Sequence, residues 1–207
     1  MGGMDMTGLV ALAAALGWAS GLRLYLAVFL TGLAGALGWI ALPAGLHVLQ
    51  HPLMLAASGF MLFVEFFADK IPGVDSLWNI AHGVIGIPAG AALAAGVFGA
   101  DDATMAWVAG LLGGSLAATS AATRVTTRAA INTSPEPLTN VAASFIEDGA
   151  VLGGLWLATH YPVTFAVALL ITLVVMVWLL VVTWRALRAL RAQVAALFRG
   201  ESRSTAP

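Results

Sequence analysis

The sequence predicts an all-α polytopic membrane protein, and three observations carry that prediction. Hydrophobic residues make up 60% of the 207 positions and charged residues only 9%, against roughly 25% charged in a typical soluble domain. Apolar runs recur at about the 20-residue length that a helix needs to cross a bilayer. Those runs are rich in Leu, Val, Ile and Ala, without the apolar/polar alternation of an outer-membrane barrel strand. The 23 glycines and many alanines suit close helix packing in lipid.

Six segments qualify. The first, residues 8–41, is too long for one straight crossing at about 1.5 Å per residue. It holds Gly17, Ser20, Gly21 and Arg23 near its middle, which predicts a break around 17–21 and a helix from about Leu22. Whether the leading piece, 8–18, re-enters or spans is open at this stage. Residues 53–68 form the second span, with Glu65 near its end, and 76–99 the third, with Pro88 inside. Residues 103–122, 138–159 and 163–184 complete the set. Asp75 or Ser76 is the expected cap of the third helix. Ser134-Pro135-Glu136 reads as N-cap, first-turn proline and first-turn acid of the fifth, and Tyr161-Pro162 opens the sixth. Pro43 and Pro52 bracket the first connection.

Counting the first segment as one crossing gives six transmembrane helices. Lys70, Arg124 and Arg128 then fall in connections on the same side as the tail, with its Arg185, Arg188, Arg191, Arg199 and Arg203. The opposite connections carry no Lys or Arg. The positive-inside rule therefore puts both termini in the cytoplasm of a bacterial inner membrane; a separately crossing leading piece would flip only the N-terminus. Residues 1–185 form a single transmembrane domain. Residues 186–207 form a basic amphipathic cytoplasmic tail, with Leu187, Leu190, Val194, Leu197 and Phe198 at helical spacing. No basic leader or cleavage site marks a signal peptide.

Three plus three helices imply two inverted repeats, about 8–99 and 103–184. "SGLR", ending at Arg23, echoes "TSAATR", ending at Arg124. "FVEFFAD", with Glu65 and Asp69, echoes "SFIED", with Glu147 and Asp148. Charges at bilayer depth are costly, roughly 2.5–3.5 kcal/mol each on translocon scales, and mark functional sites by default. Arg23, Glu65, Asp69, Glu147 and Asp148 are thus the candidate substrate- or ion-binding residues, with Glu147 the leading protonation or coupling site. Arg124, Arg128 and Ser134 are the candidate anion or headgroup residues, placed beside Thr119, Ser120, Thr123, Thr126 and Thr127 on a polar stretch that runs into the 123–137 connection. His82 reads as a core histidine rather than a metal ligand.

The remaining function classes are narrowed by absence. A net charge of −1 gives no pull toward nucleic acid, and with no cysteine there is no thiolate chemistry. No nucleotide-binding loop, zinc-protease or serine-hydrolase motif is present, so no enzyme, cofactor or resident metal is expected. The expected partners are the lipid bilayer and a small ion or polar solute, with a homodimer possible for so small a chain. The function that fits is a small secondary transporter or ion-conducting protein. The alternatives are a lipid-handling protein and a non-transporting scaffold.

At "SGLRLYLAVFLTGLAG", "VEFFADKIPGVDSLWN" and "NTSPEPLTN…EDG" the chain resembles the bacterial membrane family called domain of unknown function 4126. The resemblance covers about residues 10–180. It implies that Arg23, Glu65, Asp69, Lys70, Asp75, Trp78, Ser134, Glu136, Glu147 and Asp148 stand in family motifs, and it assigns them no roles.

Overall fold

The computed structural model describes residues 4–68, 74–99, 101–131 and 137–204, with side chains described except at 74–77, 79–80, 137–138 and 190–204. All regular structure among them is helical: α1 (Met6–Ala36), a short 3-10 helix (Ala44–Gln50), α2 (Pro52–Ala68), α3 (Val74–Phe98), α4 (Ala103–Ile131), α5 (Pro137–His160) and α6 (Pro162–Ser204). Among the described residues, five helices are long and apolar enough to cross a membrane. The 3-10 helix and α2, bent by 66°, form one further candidate crossing.

Sequence chemistry sets the ends. Asp5 caps α1 by accepting the Gly8 amide at 2.8 Å, and Asp102 caps α4 through the Met105 amide at 2.9 Å. Pro52 and Pro162 stand at first helical positions, where their missing N–H leaves nothing unsatisfied. Gly99, at φ +60°, closes α3 in the left-handed region that glycine tolerates. The openings expected at Asp75, Ser76, Ser134, Pro135 and Glu136 lie outside the described side chains.

The break expected in the first helix is present, at Arg23 rather than within 17–21. Arg23 has φ −144° and ψ 75°, which ends one helical arm (6–22) and starts another (24–36). The second arm returns toward the end from which the first came. Leu12 and Ala34 line one small cavity, yet they would be roughly 33 Å apart on a straight helix. On the leading arm, Val10 lies with Phe98 at the end of α3 and Met105 at the start of α4. Gly21 lies deeper, against Ala117 and Ser120. On the returning arm, Val28 has climbed back to Ala92 and Leu93, and Gly32 meets Leu49 of the 3-10 helix.

Both ends of α1 thus share the end of the bundle at which α3 closes and α4 opens, here termed the upper end. The start of α6 is there too, since Met6 and Thr7 line a cavity with Pro162 and Val163. α6 descends past Ser115 and Thr119 of α4 at Leu173 and Val177. This hairpin departs from the straight α1 that the expectation of one crossing and of termini sharing a face relied on: the N-terminus lies at the upper end of the bundle and the tail leaves at the lower.

Small residues let the leading arm into the bundle. A Cβ on Gly17 would collide with the backbone of Gly113, and one on Gly21 with the Ala117 carbonyl and Ser120 hydroxyl. These glycines therefore serve close backbone approach, and the break itself comes from polar contacts made one turn further on.

Candidate functional site

Opening the helix at Arg23 frees backbone groups at a depth of roughly 20–30 Å below the upper end, by helix rise. Such groups are tolerated in a bilayer only when partnered. The Leu22 carbonyl accepts from Nη1 of Arg124, and the Leu24 amide donates to Nε2 of His82 at 3.1 Å. Ser120 donates its hydroxyl to the Trp18 carbonyl at 2.8 Å. Because His82 accepts through Nε2, its neutral ring carries the proton on Nδ1, 3.5 Å from Oε1 of Glu65.

Among the described residues, three guanidiniums and three carboxylates lie around the tip. Arg23 reaches Glu65 (Nη1 to Oε1, 3.3 Å), Asp148 (Nε to Oδ1, 2.9 Å) and Glu147 (Nε to Oε2, 3.5 Å). Arg124 reaches Glu65 at 3.1 Å and Glu147 at 3.5 Å. Arg128 holds Glu147 with both Nη2 (3.0 Å) and Nε (3.3 Å), and donates to the Ser144 hydroxyl and the Asn140 carbonyl. The formal charges of these six cancel. Cancellation and multiple hydrogen bonds are what make burial tolerable, since an uncompensated ion in such a place is strongly destabilising. Glu65 is fully buried and the three arginines nearly so, whereas the Glu147 side chain is 15% exposed and that of Asp148 33%.

Of the residues expected to bind substrate, Arg23, Glu65, Glu147 and Asp148 converge here. Asp69 and Ser134 lie outside the described residues, as does Lys70. Arg124 and Arg128 require a correction. They were expected in or beside a cytoplasmic connection as a headgroup site. Instead α4 continues to Ile131 and both are buried in the ionic cluster. The reason is their four-residue spacing, which puts both on one helix face. The polar stretch beside them is likewise helical. Thr123 and Thr126 donate to the carbonyls of Thr119 and Ala122 one turn back, so they satisfy themselves rather than line a cavity.

Sequence reasoning missed two supports. Asn140 and Ser144, on the same α5 face as Glu147 and Asp148, hold Arg128; their spacing of four and then three residues was a readable signal. It also missed that His82 would serve the broken backbone, for which no local signal exists.

Asp148 opens onto a groove of about 620 Å³ between α2 and α5, floored by Leu26 and Leu30 of the returning arm. Among the described residues α2 and α5 do not pack against each other. Also among the described residues, no cluster of three or more His, Asp or Glu is arranged to hold a metal ion.

No curated protein and no solved structure matches this chain. A family model does: residues 10–182 match the one described as Domain of unknown function (DUF4126), and the chain belongs to that family.

Proposed function

We propose that this chain is a small secondary transporter or ion-conducting protein of a bacterial inner membrane, working at the tip of the α1 hairpin. One observation carries the reading: a helix broken inside the bundle, its freed backbone and three arginines facing carboxylates from two other helices. Discontinuous helices meeting at buried ionisable groups are the recurring architecture of substrate and ion sites in transporters. Glu65 and Glu147 are the coupling candidates, because each is shared by at least two arginines. Loss of charge on either would release guanidiniums to rearrange.

The lower end is the cytoplasmic one in this proposal. The tail arginines leave there, while the upper end carries Asp5, Asp101 and Asp102 and no Lys or Arg. The N-terminus is then periplasmic. The repeat becomes the returning arm with α2 and α3, set against α4 to α6 in opposite direction, with the leading arm as an addition. In its favour, Arg23 pairs with acids of the second half and Arg124 with Glu65 of the first.

The groove between α2 and α5 favours a second reading, lipid handling. Against it, Arg124 and Arg128 are buried in the cluster, and among the described residues no arginine lines the groove. The test is a flux screen in reconstituted liposomes across ions and organic solutes, with wild type, Glu65→Gln and Glu147→Gln. Solute-dependent flux reduced in both variants is expected. Identical traces for all three chains would leave the cluster as a helix tie and remove the transport reading.

A further inference from the structure

The contact that holds the hairpin tip is one that a proton would break. His82 accepts the Leu24 amide through the lone pair of Nε2, at 3.1 Å. A ring nitrogen that takes up a proton becomes a donor and accepts no longer. The Leu24 amide and a proton on Nε2 therefore exclude each other. On the other side of the ring, Nδ1 lies 3.5 Å from Oε1 of Glu65, so an imidazolium formed here has a carboxylate to face. Around His82 stand Arg23 and Tyr25 of α1, Glu65 of α2, and Arg124 of α4, which reaches the same Glu65 oxygen. Glu147 and Asp148 of α5 lie behind Arg23. Asp69, Lys70 and Asp75 lie outside the described side chains. Each described carboxylate at the tip already faces a guanidinium. His82, by contrast, is held by a bond that only its neutral ring can make.

We propose that His82 is the proton-binding residue of this site and that its protonation releases the tip of the α1 hairpin. The proton adds to the Nε2 lone pair, the Leu24 amide loses its acceptor, and the imidazolium keeps its Nδ1–H toward Glu65. Oε1 of Glu65 then serves a third cation besides Arg23 and Arg124, and the site gains one positive charge. A backbone amide freed at bilayer depth is tolerated only with a new partner. Release of the tip and entry of water or solute therefore go together. The route to the ring is short. Tyr25 stands edge-on to His82, with ring centroids 5.8 Å apart, and lines a cavity of about 330 Å³ between the returning arm, α2 and α3. Leu24 lines it too. The sign follows from the exclusion: the tip is closed on neutral His82 and loses this tie as pH falls. The inference rests on the transport reading for its purpose, naming the proton as the coupling ion, and on the Leu24–His82 contact alone for the switch.

The test follows hydrogen exchange of the 22–26 backbone, which spans the break, in the full chain in lipid nanodiscs, corrected for the intrinsic pH dependence of exchange. In the wild type, protection is expected to fall at least about tenfold between about pH 8 and about pH 5, a window that brackets ordinary histidine titration. His82→Gln keeps an acceptor that does not titrate, so its protection is expected to stay constant over the same range. An equal fall in both chains assigns the titration to a carboxylate and overturns the proposal. So does wild-type protection that does not change with pH. A second measurement leaves position 82 untouched. His47, His51 and His160 are exposed, and a chain with His47→Gln, His51→Gln and His160→Gln carries His82 as its one imidazole. Its ring-nitrogen NMR signals are expected to show the Nδ1–H tautomer at the upper pH and the imidazolium at the lower. A ring that carries its proton on Nε2 at the upper pH, or stays neutral throughout, overturns the proposal. Pyranine-loaded liposomes separate the switch from transport. Tip release without protein-dependent proton movement would remove proton transport and leave the switch. Proton movement with pH-independent protection would remove the switch and leave transport.

Discussion

The backbone amide of Leu24 donates to Nε2 of His82 at 3.1 Å, so the turn of the α1 hairpin is held by a side chain from α3. Both partners are buried. His82→Leu strands that amide, and a buried donor left without an acceptor is destabilising by about 1–3 kcal/mol. His82→Gln restores an acceptor at similar reach. The leucine variant is expected to melt earlier in detergent than the glutamine variant. Equal melting of the two would show that the amide finds another partner.

Glu65 tests the ionic cluster more severely. It is fully buried and pairs with both Arg23 and Arg124. Glu65→Leu leaves two buried guanidiniums short of one carboxylate, a loss of about 3–5 kcal/mol when one partner of a buried pair is removed. Glu65→Leu combined with Arg124→Met removes one charge of each sign and is expected to recover part of that loss. Denaturant titration of the single and double variants measures the coupling. Strict additivity would mean that the two side chains do not act as a unit.

The glycines divide into two groups with opposite expected behaviour. Gly21→Val drives a side chain into the Ala117 carbonyl and is expected to abolish the folded chain, read as loss of the monodisperse peak on size exclusion. Gly149→Ala and Gly153→Ala face open space. In a helix, alanine is favoured over glycine by about 0.5–1 kcal/mol, so both are expected to melt at or above the wild-type temperature.

Topology is directly testable because the chain has no cysteine. Single cysteines at Thr7 and Tyr161 are expected to react with a membrane-impermeant thiol reagent from the same side of the membrane. A reporter fused after Pro207 is expected on the other side. Labelling of Thr7→Cys from the tail side would restore the single crossing of α1 and abolish the hairpin.

Much of this was legible in sequence, and the reasons differ by element. Apolar length and terminal prolines gave α2, α3 and α5 to within about two residues and the start of α6 to within one, because burial in lipid leaves composition as the main constraint; α6 itself runs on to Ser204, well past the apolar stretch. The members of the central cluster were legible one by one, since a charge inside an apolar run needs a partner wherever it lies. What composition does not encode is direction. An α1 that crosses and an α1 that doubles back have the same hydropathy, and the choice rests on Arg124 and His82, which lie far away in sequence. The same blindness put Arg124 and Arg128 at the margin of a loop. The run from 119 to 131 is polar enough to be solvated on its own, and only its partners on α1, α2 and α5 make it interior.

The dependence of the hairpin on distant partners bears on how the chain is made. Ribosomes deliver the N-terminus first, so Arg23 emerges long before α4 supplies Arg124 and α5 supplies Glu147 and Asp148. Until then its guanidinium has, of its eventual carboxylates, only Glu65 to meet. The leading segment therefore settles into place late, after the fifth helix has entered the membrane. Nascent chains truncated before α5 are expected to leave α1 exposed to proteases that the finished protein resists.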